Sequence, residues 1–185
     1  MPSPFRRSLP IAGVAVLMTA ALALADPPAG ATPHVRPETR EAQALLLALT
    51  THSETARSLV DAIDRTDFVV YIRHRVFTRA TWDGRIGLVR SSRPTRFLIL
   101  ELAAGRPWPD QLAALGHELQ HAAEIARLGA ALDPDGLARH YAGIGEEAGR
   151  SGETRRFETG AARAIAAQVR RELTESNMRP THDRE

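Results

Sequence analysis

The chain has 185 residues, 43% of them hydrophobic and 25% charged, with 24 basic residues, 22 acidic residues and no cysteine. That length suits one domain whose core needs no covalent staples, and the missing cysteine excludes disulfides, thiolate metal sites and a lipidated N-terminal cysteine. Every basic residue is arginine and no run of them is long enough for a nucleic-acid footprint, so no nucleic-acid partner is expected.

Residues 1–25 have the layout of a secretory signal peptide. Arg6 and Arg7 give a positive start, residues 9–24 are apolar and small, and Ala23-Leu24-Ala25 is an A-x-A cleavage site ahead of Asp26-Pro27-Pro28. Cleavage there leaves 22 arginines against 22 acidic residues, a formal balance of zero. The expectation is a secreted or periplasmic protein. No later segment is long or apolar enough to span a bilayer, so no stable membrane association is expected after cleavage. Residues 26–37, rich in Pro, Gly and Ala, read as a flexible entry segment. Residues 38–176 form the expected folded domain, and 177–185 a polar tail.

Within the domain, residues 40–49 carry Ala42, Leu45, Leu46 and Leu49 at helical spacing. Ser53 is the N-cap of a second helix with Ala56, Leu59, Val60 and Ile63 on one face. The period then changes. Phe68, Val69, Val70, Tyr71 and Ile72 mark a strand over 67–76. Asp83-Gly84 is a turn, 85–90 a second strand, residues 91–94 another turn, and 96–102 a third strand. Three strands so closely spaced predict an antiparallel meander. Asp110 is the expected N-cap of a helix over 111–128, which Gly129 ends. A short helix follows at 137–144. Gly143, Gly145, Gly149 and Gly152 predict a loose stretch, and 154–173 is the expected last helix. The fold class is therefore α+β, a small three-stranded antiparallel sheet packed on the 111–128 helix and several others.

That helix carries His117-Glu118-Leu119-Gln120-His121, an H-E-x-x-H motif. Residues four apart share a helix face, so both imidazoles can meet one metal ion while Glu118 reaches a water on it. A catalytic zinc site takes two such nitrogens, a third protein ligand and an open position. Glu158 opens the apolar stripe of the expected last helix, continued by Ala161, Ala162, Ile165, Val169 and Leu173. A carboxylate there is costly unless it is paired or metal-bound. Gly160, Ala161 and Ala162 would permit close approach to the motif helix. Glu158 is thus the favoured third ligand, with Glu146 and Glu147 as rivals and Glu153 and His140 behind them. Glu124 is too far along the helix axis to join both histidines on the ion, and suits an outer, orienting role or an ion pair.

The motif with a downstream Glu resembles a zincin metallopeptidase of the gluzincin type, over residues 96–173. The layout is also similar to that of small exported bacterial proteins. The resemblance implies a zincin-like fold, a zinc ion held by His117, His121 and Glu158, and Glu118 as general base. It implies a peptide or protein substrate added as a strand along 96–102, taken as the sheet edge. The chain departs from the pattern in two places. The interval from His121 to Glu158 is long, and Ala162 stands where gluzincins place an Asp that orients a histidine, which leaves that task to Glu124 or a backbone carbonyl. The metzincin pattern is absent, since 124 is Glu and 127 is Arg. Tyr141, with His140 beside it, is the nearest candidate for stabilising the oxyanion. The other readings are an exported zinc-containing binding or scaffold protein without turnover, and an accidental motif. The arginines between 73 and 96 suit a solvated sheet face, a preference for acidic peptides, or a surface for anionic envelope components.

Overall fold

A computed structural model describes residues 32–78, 82–89, 96–128, 134–151 and 154–178. The leader, the turn at 91–94, Gly129, Gly152, Glu153 and the tail from 179 lie outside them. Among the described residues no helix is long and apolar enough to cross a membrane. The described residues form an α+β architecture, with five helices, a four-stranded mixed sheet and a separate two-stranded antiparallel sheet.

Two capped helices come first. Thr39 is extended and accepts the Ala42 amide at 3.1 Å, which starts α1 (Arg40–His52). Ser53 ends α1 with its own amide on the Leu49 carbonyl at 2.9 Å, and starts α2 (Glu54–Asp64) by accepting the Ala56 amide at 3.0 Å. One residue thus turns the chain between two helices. Their apolar stripes, Ala42, Leu45, Leu49, Ala56, Leu59 and Ile63, are all buried.

The sheet differs from the expected meander. Its order is β1 (Val35–Pro37), β2 (Phe68–Arg75), β4 (Arg96–Ala103), β3 (Gly84–Val89). β1 is parallel to β2, β2 is parallel to β4, and only β3 runs antiparallel to its neighbour. The strand taken as the edge, 96–102, is therefore interior, and β3 is an edge. Composition explains the order. β2 and β4 carry near-continuous apolar runs, suited to strands flanked on both sides, whereas β3 has Gly84, Arg85 and Gly87 and tolerates an edge. The entry segment is also corrected, because its last three residues form β1. Val35 is buried, and the Val70 and Glu38 amides bond to the carbonyls of His34 and Ile72 at 2.8 and 2.9 Å.

Val70, Ile72, Leu98, Leu100 and Leu102 face the core, where α3 (Trp108–Ala126) packs on β3 and β4, and α1 and α2 on β2. α3 starts earlier than expected. Pro107 occupies the N-cap position with no side-chain cap bond and Pro109 fills the first turn, which needs no amide donor there, so Asp110 is a first-turn acid and not the cap. Nearly every position from Gln111 to Ile125 is buried. The helix is central, and small residues let neighbours close on it. A Cβ on Gly116 would lie 2.8 Å from Val169 Cγ2 of α5 (Gly160–Met178).

Among the described residues, the stretch after α4 (Pro134–Ile144) is a pair of strands where a loose segment and the start of a helix are expected. β5 (Glu146–Ser151) and β6 (Thr154–Glu158) pair antiparallel, with an irregularity between Glu147 and Gly149. The last helix begins only at Gly160, capped by Thr159, whose hydroxyl accepts the Ala162 amide at 3.1 Å. Glu158 is consequently the last residue of a strand, not the first of a helical stripe. Farther along, Glu172 accepts the hydroxyls of Ser53 and Thr55 and the Thr55 amide, which ties α5 to the start of α2.

On the sheet face turned from α3, the Glu101 side chain is 3% exposed and is surrounded by Arg73, Arg75 and Arg85. Burial alone would raise this carboxyl, but the three guanidinium hydrogen bonds outweigh it and lower it from 4.5 to about 2. A depressed folded-state value means the stabilisation is complete above pH 4.5 and is lost as pH falls toward 2. After allowance for the part-exposed arginines, its size is about 2 kcal/mol. Chemical denaturation at pH 6 and pH 2.5 should therefore show a smaller acid loss in Glu101→Gln than in the wild type, by about that amount. Equal losses would remove Glu101 as a source of acid sensitivity.

Candidate metal centre

α3 presents His117 and His121 one turn apart, with ring centres 4.9 Å from each other. The end of β6 brings Glu158 between them. Its Oε1 lies 3.1 Å from His117 Nε2 and 3.6 Å from His121 Nε2. One donor atom from each of the three residues falls within 4.8 Å of the other two. A tetrahedron with metal–ligand bonds of ~2.0–2.1 Å has edges of roughly 3.3 Å. The two histidine–glutamate separations bracket that value, and all three donor atoms lie within 4.8 Å of one another, the spacing of a group that could hold a metal ion. Among the rivals, Glu146 stands across the β5–β6 pair from Glu158, is 78% exposed and faces Arg163 at 3.5 Å. Glu147 and His140 are not in the donor group, and Glu153 lies outside the described residues.

His121 is held from behind. Its Nδ1 donates to Glu124 Oε2 at 2.9 Å, which turns Nε2 toward Glu158. Burial alone would lower this imidazole, but the bonds to Glu124 and Glu158 win and raise it to about 9. The opposite holds for Glu158. Burial alone would raise it, yet the two histidines hold it far below the usual carboxylate range. A cation held by these donors would require the imidazole nitrogens facing it to be unprotonated, so its binding would release protons.

Glu124 is satisfied in turn. Its Oε1 accepts from Gln120 Nε2 at 3.1 Å and from the Thr159 hydroxyl at 2.9 Å. Thr159 follows Glu158 directly, so one hydroxyl caps α5 and links the glutamate strand to the carboxylate behind His121. Sequence reasoning weighed Glu124 for such a role and missed Thr159. Its signal was present, a threonine before Gly160 and a helical run. Thr159→Val keeps the shape and removes the hydroxyl. It is expected to weaken metal binding about tenfold, as loss of an outer partner does, with Thr159→Ser near wild type. Competition with a chromogenic chelator measures this, and a Val variant with wild-type affinity would deny Thr159 the role.

Glu118 lies on the other side of the histidines and is 6% exposed. A Cβ on Gly84 of β3 would stand 2.9 Å from Glu118 Oε1, so only glycine lets the edge strand approach the carboxylate this closely. Gly145 makes similar room at Glu158, where a Cβ would come within 2.6 Å of its carbonyl oxygen. These glycines hold tight contacts, and neither marks a loose segment. Tyr141 is 6% exposed and stacks on Phe157, with its ring edge-on to His121. Its hydroxyl donates to the His121 carbonyl at 3.3 Å, so it lies beneath the histidine and supports it. Burial and the nearby carboxylates push that phenol far above its ordinary range.

In front of the donors is a cleft of about 190 Å³, lined by His117, Glu118 and Glu158, by Gly84 of β3 and by Ala113, Ala114 and Ala166. Asp110 and Arg170, 3.2 Å apart, also line it. Two nitrogens, a carboxylate, a second carboxylate outside the donor set and an open cleft suffice for cation-assisted acid–base chemistry. No family model, no curated protein and no solved structure matches this chain.

Proposed function

We propose that the chain is an exported zinc-dependent metallopeptidase with a zincin-like domain of the gluzincin type. The observation that carries the reading is the convergence of one donor atom each from His117, His121 and Glu158 within 4.8 Å, with Glu158 Oε1 at 3.1 and 3.6 Å from the two imidazole nitrogens, beside a buried Glu118 that is not a member of the set. Two imidazoles, one carboxylate and an open fourth position are the donors a catalytic zinc takes. Zinc so held would supply Lewis acidity, polarising a carbonyl and lowering the pKa of water toward neutrality.

The remaining work belongs to the protein. Glu118 takes a proton from the water as its oxygen attacks the scissile carbonyl carbon, then passes that proton to the departing amine as the C–N bond breaks. Glu124 holds the His121 ring so that Nε2 stays turned to Glu158. β3 is the edge along which an extended peptide would add as a strand. Among the described residues it pairs only with β4, and Gly84 brings it directly against Glu118. The alanine-lined cleft floor leaves space for a side chain.

The second reading, an exported zinc-containing binding or scaffold protein without turnover, rests on Tyr141. The nearest candidate for the oxyanion spends its hydroxyl on the His121 carbonyl, and would have to leave that bond to act. One experiment separates the readings. Metal content is measured on the purified chain, followed by digestion of peptide libraries and denatured protein with and without a chelator. Zinc together with chelator-sensitive cleavage supports the peptidase. Zinc without cleavage supports the binding protein, and absence of zinc defeats both.

A further inference from the structure

The sheet face turned from α3 carries a charge arrangement that the cleft does not use. Arg73 and Arg75 are two apart on β2, and the register sets Glu101 of β4 beside Arg73 and Arg85 of β3 beside Glu101. Glu101 Oε1 accepts from Arg73 Nε and Nη2 at 3.1 and 2.7 Å and from Arg75 Nη1 at 3.0 Å, while Oε2 accepts from Arg85 Nε. The carboxylate is 3% exposed, whereas the three arginines are 40%, 48% and 37% exposed. The Arg85 guanidinium also rests 5.8 Å from the centre of the Phe77 ring, which packs edge-on against Trp82.

One carboxylate balances one guanidinium. Three of them around Glu101 leave a local surplus of two positive charges, gathered at a cost in repulsion that an ordinary sheet face would avoid. Each guanidinium has five N–H groups, and only four hydrogen bonds from the three residues go to Glu101. The other N–H groups have no hydrogen-bond partner among the described residues. The anchor carboxylate and the Phe77–Trp82 pair fix the forks before any ligand arrives, so ordering them costs little on binding.

We propose that Arg73, Arg75 and Arg85 form a binding site for a phosphate-type oxyanion, supplied either as free phosphate or as the headgroup of an anionic lipid. Planar forks match the oxygens of a tetrahedral oxyanion two at a time, which lysines could not do, and the surplus charge complements a phosphate near neutral pH. The site is independent of the cleft reading, since it lies on the sheet face opposite α3 and shares no residue with the metal donors.

The test uses the full chain. Inorganic phosphate is titrated calorimetrically at constant ionic strength into the wild type, Arg75→Gln and Arg85→Gln. Co-sedimentation with vesicles of phosphatidylglycerol, and separately of phosphatidylcholine, is run on the same three proteins. Arg75 is the most exposed of the three, and its loss leaves two guanidiniums on Glu101, so that variant keeps the fold if Arg85→Gln does not. Each substitution is expected to weaken binding about tenfold. Phosphate binding with no vesicle preference assigns the free ion. Preference for phosphatidylglycerol that falls in the same variants assigns the headgroup. Failure to bind either source, or equal affinity in wild type and variants, overturns the proposal.

Discussion

Glu118→Gln is expected to bind zinc as the wild type does while losing peptide hydrolysis by about 10²–10⁴-fold. The reasoning is geometric. Glu118 is outside the donor group, so metal content should not change. Glutamine has the same shape, which matters because Glu118 is buried and its Oε1 lies where a Cβ on Gly84 would sit 2.9 Å away. The substitution therefore removes the carboxylate that accepts the proton while keeping its shape. The loss should fall on kcat with KM nearly unchanged, because the interaction acts in the transition state. Metal analysis and steady-state kinetics on one peptide check both halves. A variant within tenfold of wild-type kcat would remove Glu118 as the base.

Glu158→Ala is expected to lose metal, with affinity falling beyond the roughly 100-fold that removal of an outer partner reaches. The substitution deletes the only oxygen of the three converging donors and leaves two imidazoles facing an open cleft. Glu158 is 20% exposed at a strand end, so the fold should survive the change. Thermal melts supply a second readout. Zinc at 100 times its dissociation constant stabilises a folded protein by about 2.7 kcal/mol, and that zinc-dependent rise should vanish in the variant. Glu146→Ala, across the hairpin, is the matched comparison and should keep both the metal and the rise. If Glu146→Ala loses the metal and Glu158→Ala keeps it, the ligand assignment is reversed.

The parts of this molecule that were legible in the sequence are those governed by local rules. Ser53 and the stripe from Ala56 to Ile63 gave α2, and the i, i+4 spacing of His117 and His121 placed both imidazoles on one face. Sheet order was harder because it depends on competition between strands for the interior, and Gly84-Arg85-Ile86-Gly87 loses that competition to Phe97-Leu98-Ile99-Leu100 only when both are compared. Glu158 was reached through the wrong element. Periodicity alone makes Thr154 to Glu158 helical because the run continues into Ala161 and Ala162, yet Thr159 is the start signal that ends the strand and opens the helix. β1 was hidden among prolines and glycines, since three residues are too few to show a period. Contacts such as Gly84 on Glu118 join elements far apart in the chain, and local pattern carries no trace of them.

The burial of α3 has a consequence for how quickly an ion could come and go. His117 and His121 belong to a helix buried at nearly every position from Gln111 to Ile125, the kind of element that opens last. Glu158 ends a short hairpin instead, and is joined to the helix side by the Thr159–Glu124 bond at 2.9 Å. Loss of the carboxylate donor alone needs a smaller opening than loss of the helix, so departure of a bound ion is expected to begin at Glu158. A change that loosens the hairpin should shorten the ion's residence time while leaving the melting temperature of the ion-free protein where it was.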